Sequence, residues 1–475
     1  MKANKYYKIA SSFLLFLLII AGCDLIDPTE VHNPSITDKN LLEDASGGTE
    51  PLIIGLEYAF SDAVRKTVAY TEIVSDNYVN TGTFFSTIID KPRNIAPNEQ
   101  YLNDSREIYF RLMYLNSLAA FGLKTIIPSD PLTTDAQKAE VYFYKGMSLL
   151  LLSENFAAFP IDENGPLVKA SDALLIAVED FKSSLSLNQG GNNAVNCKLA
   201  LARVYRLLGD KVNAQAASNE ALGLSQNHVF SAPFDPINLT NDIWTFTINR
   251  IGDDFEPLPR LDFLDPKYIT KETGIPVLKS EEAYLILAEI AISNSNITEA
   301  KQQMINVITL ALSRDIVQFA DNDKRKDRPN LDSYKIKADA SSPEETGLIF
   351  KRSGNTVNVH AISYTSLTEN YINSLTSTNE LYYALYLLRQ QIFFSEGRRM
   401  SDLGIRLPVM QTEIDANATL NAGDYGTVAI IPSYIPADNE MDTFVMDEAN
   451  SVATMNYDMN KIIVQNINVV SPFAQ

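Results

Sequence analysis

Residues 194–224 read AVNCKLALARVYRLLGDKVNAQAASNEALGL. Two helical patterns, Ala194–Leu208 and Lys211–Leu224, flank a turn at Gly209-Asp210. The first helix carries Ala202 and Tyr205, and the second carries Ala214 and Ala221. Alanine lets two helices approach closely, and the aromatic fills the gap to the next pair. The same arrangement precedes it in Asp135–Phe156 with Ala170–Leu187, and returns in Glu281–Asn294 with Thr298–Leu312. Helix pairs of this kind, degenerate and irregularly spaced, resemble tetratricopeptide repeats.

Outward from the repeats the chain changes character. Upstream, Glu50–Val74 and Ser105–Lys124 have helical periodicity, with Ser105 as the expected N-cap. Residues 75–104 and 226–278 interrupt the helical pattern and read as insertions. The second is irregular, rich in proline, and holds the chain's one tryptophan, Trp244. Residues 313–378 form a further insertion, in which Gly347–Val359 alternates like a hairpin turning at Ser353-Gly354-Asn355. One late helix is expected over 379–403, and a loop-rich cap after Pro408. The predicted fold class is mainly α: a tetratricopeptide-like helix-pair superhelix with loop insertions and a loop-rich C-terminal cap. Only 20 of 475 residues are glycine, about 4% against a usual ~7%, which also favours long helices over sheet.

The first 22 residues are a segment apart. Lys2, Lys5 and Lys8 precede the apolar run Phe13–Ile20, which is shorter than the ~20 residues a spanning helix needs. This is the pattern of a signal peptide. The run ends in Ile20-Ala21-Gly22-Cys23, which resembles a bacterial lipobox. Cys23 is then the expected lipid-attachment site, since a thiol is the nucleophile that becomes the thioether. Residues 23–475 are read as one domain. With Cys23 acylated, Cys197 has no partner for a disulfide, and it lies on an apolar helical face.

Composition excludes several functions. The formal charge is −20, and removing the three lysines and no acid of the leader takes it three further, to −23. Such a surface repels phosphate backbones, so no nucleic-acid partner is expected. His32, His228 and His360 lie far apart without metal-ligand spacing. Asp321, Asp323 and Asp332 have calcium-loop spacing, but Lys326 stands where that loop needs glycine. No phosphate loop or nucleophile elbow occurs. No metal, no cofactor and no catalytic residue is expected, and the chain is read as a binding protein that is not an enzyme.

Binding chemistry remains. Sugar rings stack their C–H faces on aromatic side chains, and their hydroxyls need amide, carboxylate and guanidinium partners. The first insertion offers Asp76, Asn77, Tyr78, Phe84 and Phe85, and the second offers Trp244 and Arg250. These are the candidate ligand residues.

Three stretches together resemble the SusD/RagB family of outer-membrane nutrient-binding lipoproteins of Bacteroidetes. They are the lipobox with its acidic tether, Ser280–Ile290 (SEEAYLILAEI) followed by Thr298-Glu299-Ala300, and Leu388–Leu407 (LRQQIFFSEGRRMSDLGIRL). One position departs: Lys279 stands where the family usually shows arginine, which keeps the charge and loses the planar fork. The resemblance implies a SusD-like α-α superhelix at the outer membrane, lipid-anchored and facing the cell exterior. It implies capture of an oligosaccharide and delivery to a SusC-like TonB-dependent transporter. A peptide- or amino-acid-binding member of the same family is an alternative, and a surface α-helical glycosidase is one from another class. Within the third stretch, Arg398 and Asp402 at i,i+4, with Glu396 nearby, are read as a structural charge cluster.

Overall fold

The computed structural model describes residues 47–81, 88–104, 106–249, 255–321, 333–350 and 355–474. Its long helices are α1 (Thr49–Val74), α2 (Ile108–Phe121), α3 (Asp135–Asn155), α4 (Ala170–Leu187), α5 (Gly191–Leu207), α6 (Lys211–Leu224), α7 (Ser280–Ser293), α8 (Ile297–Leu312) and α9 (Thr378–Ile392). The repeat pairs form as expected: α3 packs on α4, α5 on α6, and α7 on α8. Local chemistry starts each pair. Thr134 and Gln137 form a capping box at α3. The Asp210 carboxylate accepts the Asn213 N–H at α6, and Asn296 does the same for Glu299 at α8.

Small residues set the helix spacing. Ala202, Ala214 and Ala221 are fully buried, and α7 rests on both α5 and α6. At Gly146 an added Cβ would sit 2.8 Å from the Phe181 ring, so α3 and α4 approach there as only glycine allows. One continuous apolar core runs from Leu52 in α1 to Phe473 near the C-terminus.

Short strands bind the insertions to this frame. β1 (Tyr78–Asn80) pairs antiparallel with β5 (Phe255–Pro257), joining the two expected ligand insertions. β2 (Ala158–Pro160) pairs with β3 (Leu167–Lys169), and β4 (Val229–Ala232) with β6 (Ile275–Lys279). The expected Gly347–Val359 hairpin is corrected. β9 (Glu344–Phe350) pairs with β8 (Ser333–Lys337), whereas β10 (Asn355–Val359) pairs with β7 (Val317–Asp321). Alternation assigns residues to sheet faces, but it does not choose the neighbouring strand. β11 (Phe444–Asp447) and β12 (Val452–Met455) complete a four-stranded sheet with β8 and β9.

The single late helix over 379–403 is also corrected. α9 ends at Ile392, and a separate turn, α10 (Arg399–Asp402), follows. Ser395 and Gly397 between them have φ of 59° and 71°. The Glu72 carboxylate accepts their N–H groups at 3.2 and 2.7 Å, replacing helical hydrogen bonds. The leader with Cys23, Ser105, residues 322–332 and the expected turn at Ser353-Gly354 lie outside the described residues.

Candidate ligand-binding site

A cleft of about 530 Å³ opens where α1, the segment 100–111 and the second insertion meet. Helix α1 places Arg65, Lys66, Ala69 and Tyr70 on its wall, positions one helical turn apart. Tyr101, Asp104, Arg106, Glu107 and Arg111 form the second wall, and Asp242, Thr245 and Phe246 the third.

Backbone chemistry holds these walls in place. The Glu99 carboxylate accepts the Tyr70 hydroxyl at 3.2 Å and the N–H groups of Tyr101 and Leu102 at 3.1 and 3.0 Å. Opposite, Asn241 accepts the N–H groups of Ile243 and Trp244, while its amide donates to the Thr273 carbonyl. That cap fixes Asp242 at the rim.

The charges of the cleft are paired with one another. Arg65 Nη1 lies 2.7 Å from Asp242 and its Nε 2.8 Å from Asp62. Lys66 Nζ lies 3.1 Å from Glu107 and 3.3 Å from Asp242. Arg111 meets Asp62 at 3.1 Å, and Arg106 grips Asp104 at 3.0 and 2.8 Å. Four cations thus face four carboxylates. Burial lifts the Glu107 carboxyl above its ordinary range while Lys66 holds it back, and the Arg106 hydrogen bond brings Asp104 down to about 2. The result is a wall of paired charges dense in donors and acceptors, with the half-buried Tyr101 at its edge and Tyr70 anchored in the core behind it. A hollow of about 550 Å³ between α4, α5 and α6 differs in kind. Long surface side chains such as Lys182 and Glu220, more than half exposed, line it, so little there is held in place.

No protein-family model and no curated protein matches the sequence. Solved structures do match. A SusD superfamily protein from Bacteroides fragilis aligns with a TM-score of 0.54 at 14% identity, over 79% of this chain and 99% of that one. A candidate sugar-binding protein from Bacteroides vulgatus gives 0.54 at 13%, over 79% and 98%. A SusD superfamily protein from Bacteroides thetaiotaomicron gives 0.52 at 12%, over 80% and 99%. The fold is SusD-like.

Within this SusD-like frame the residues singled out from sequence have separate fates. Asp76, Asn77 and Tyr78 are a correction, because they lie in the interior and not on a ligand surface. Asp76 binds the Arg399 guanidinium, with Nη2 at 2.8 Å. Asn77 donates to Glu72 at 2.8 Å, and the Tyr78 hydroxyl meets Ser395 Oγ at 2.8 Å and Asp265 at 3.1 Å. Pairing of β1 with β5 draws this polar run inward onto the α9–α10 turn. Trp244 is partly buried, packs against the core, and does not line the cleft, although Asp242 and Thr245 beside it do. Phe84, Phe85 and Arg250 lie outside the described residues.

Both insertions reach the cleft, but through Tyr101, Asp104, Thr240 and Asp242. The α1 residues were missed altogether. Their one signal was the adjacent pair Arg65-Lys66 inside an otherwise apolar helix.

The late charged motif is structural, with different partners from those expected. Arg398 does not pair with Asp402. It reaches Glu154 at 3.2 Å and also contacts Glu282, while Asp402 takes Arg389 at 2.8 and 2.9 Å. Glu396 receives Lys279 at 2.7 Å and also Lys267. Lys279 spends its other hydrogens on the carbonyls of Ile362 and Ile392, so an ammonium suits a site that offers three separate acceptors. Cys197 is buried, and burial pushes its thiol up to about 12, as suits a core residue. Among the described residues, no group of three or more metal-ligating side chains occurs.

Proposed function

We propose that this protein is a nutrient-binding member of the SusD/RagB family that captures a neutral oligosaccharide in the α1–insertion cleft. The observation that carries the reading is the self-neutralised cleft in a SusD-like fold. A wall whose charges are already paired has no net attraction for an ion. It does present guanidinium donors, carboxylate acceptors and the Tyr101 ring to hydroxyl-bearing rings. The sugar-binding description of one structural neighbour supports the same ligand class. Binding is reversible and breaks no bond, because Asp104, Glu107 and Asp242, the carboxylates that line the cleft, are each engaged by a cation.

The lipobox-like Ile20–Cys23 supports attachment to the outer membrane through Cys23, with the protein facing the exterior. In that setting the ligand passes to a SusC-like TonB-dependent transporter. Trp244 is the only tryptophan and lies two residues from Asp242, so it reports on the cleft without lining it. Titration of its fluorescence with a panel of neutral oligosaccharides is the test. Saturable quenching by one of them, lost in Asp242→Ala, is expected. No response to any sugar, together with a response to cationic peptides, would overturn the ligand class. Metabolic labelling with palmitate, abolished by Cys23→Ser, and co-purification of a transporter barrel test the location and the partner.

A further inference from the structure

A second cleft, of about 310 Å³, lies beside α9 and shares no lining residue with the first. Its walls carry Tyr371, Tyr383, Leu387, Leu367, Thr368 and Glu345. Tyr383 and Leu387 stand one turn apart on α9; Leu387 is buried, whereas neither Tyr383 nor Tyr371 belongs to the apolar core. Two rings left out of the core and turned to a cavity are available to a ligand.

The platform is rigid on one side. The Tyr383 hydroxyl donates to Asp458 Oδ2 at 2.8 Å, and Asp458 is itself held by Arg260 at 3.2 Å and by the Asn460 N–H at 3.1 Å. Tyr371 sits in the short helix Glu369–Ser374, where Thr368 Oγ1 accepts its N–H at 3.2 Å. Tyr371 is about one-third exposed. The hydroxyl of Tyr383 keeps its acceptor lone pairs, and Glu345 is exposed at the rim.

The charges narrow the ligand. Burial and then Glu345, Glu380 and Asp458 raise the Tyr371 phenol above its ordinary range, so the surroundings are acidic and an anion is rejected. A cation is offered one exposed carboxylate, Glu345, and no second. Asp458 is occupied by Arg260, and Glu380 accepts the N–H groups of Thr376 and Ser377 at 2.7 and 2.8 Å. What remains is a pair of apolar ring faces bordered by hydroxyls and one carboxylate, in a volume at the lower end of ligand pockets, ~300–1,000 Å³. We propose that this cleft is a second saccharide-binding site, taking one end of a neutral sugar chain against Tyr371 and Tyr383, with Glu345 accepting from its hydroxyls. The site stands independently of the first cleft.

The test uses the mature chain labelled with 3-fluorotyrosine and observed by fluorine NMR. The Tyr371, Tyr383 and Tyr101 lines are assigned by their loss in Tyr371→Phe, Tyr383→Phe and Tyr101→Phe. Probes are maltohexaose, cellohexaose, mannohexaose and xylohexaose, with spermine and a galacturonate hexamer as charged controls. The Tyr371 line is expected to move with at least one neutral probe and with neither control. Tyr371→Ala should weaken that titration about tenfold, as followed on the Tyr383 line, and leave the Tyr101 response unchanged. A Tyr371 line that moves with no neutral probe, or only with spermine, overturns the proposal. Failure of the first cleft would be read separately, on Tyr101.

Discussion

Replacing Arg398 with methionine tests whether the buried charges act as a unit. Arg203, Arg206, Arg389 and Arg398 face Glu154, Glu282, Glu289 and Asp402, four against four, each side chain no more than 8% exposed. Links run through Arg203 to Glu282 at 3.8 Å and through Arg206 to Asp402 at 3.7 Å, so the pairs join into one cluster. Arg398→Met keeps the bulk of the side chain and strands one negative charge in the interior. Breaking a buried pair from one side costs about 3–5 kcal/mol, most of it the penalty on the charge left behind. Adding Glu282→Gln restores a balance of three against three. The double variant should therefore regain about half of the loss, with a coupling of at least ~1.5 kcal/mol. The assay is urea unfolding at pH 7.5, read by far-UV circular dichroism, with the slope compared across variants to confirm a common unfolded state. A double variant less stable than Arg398→Met would refute the balance. A loss of sugar binding in Arg398→Met at unchanged stability would make Arg398 a ligand contact, against the structural role assigned to it.

Further outcomes follow from burial and packing. Burial pushes Glu72, Glu282 and Asp180 each up to about 7, so between about pH 5 and 7 the folded chain holds protons that the unfolded chain has released. Stability should fall as pH rises through that window. A urea midpoint higher at pH 8 than at pH 5 would contradict it. Gly146→Ala places a methyl group against the Phe181 ring between α3 and α4, and about 1–3 kcal/mol should be lost in the same unfolding assay. Cys197 should not react with Ellman's reagent in the native protein and should react fully in urea, because its thiol is buried and its ionisation suppressed.

The helix pairs were legible because their signal is local. Alanine spacing, a Gly209-Asp210 turn and side-chain caps at Thr134, Asp210 and Asn296 act within a few residues of themselves. What the sequence left hidden depends on contacts between distant segments. The break after Ile392 is made by Glu72, more than 300 residues upstream, whose carboxylate takes over the N–H groups of Ser395 and Gly397. The partner of β10 is β7 rather than its neighbour in sequence, and no periodicity carries that choice. Asp76, Asn77 and Tyr78 misled for a related reason. A loop of hydroxyls, amides and aromatics has the composition of a sugar site, and also that of a buried polar network satisfied by Arg399, Glu72 and Ser395.

Charge in this chain is of two kinds, balanced within and in acidic surplus outside. The interior cluster around Arg398 sums to zero, as does the cleft around Asp242, so the net −20 is carried outside both. The acidic surplus thus does not define what the cleft binds; it sets what can approach the molecule. An anionic polymer meets repulsion before it reaches Tyr70 and Tyr101, whereas a neutral sugar chain does not, and salt should leave neutral-sugar affinity unchanged. Raising the ionic strength tenfold while titrating a neutral oligosaccharide checks the point. A strong weakening with salt would mean that the paired groups of the cleft open to hold a charged ligand, and Arg65, Lys66 and Asp242 would then be direct ionic contacts rather than a neutral wall.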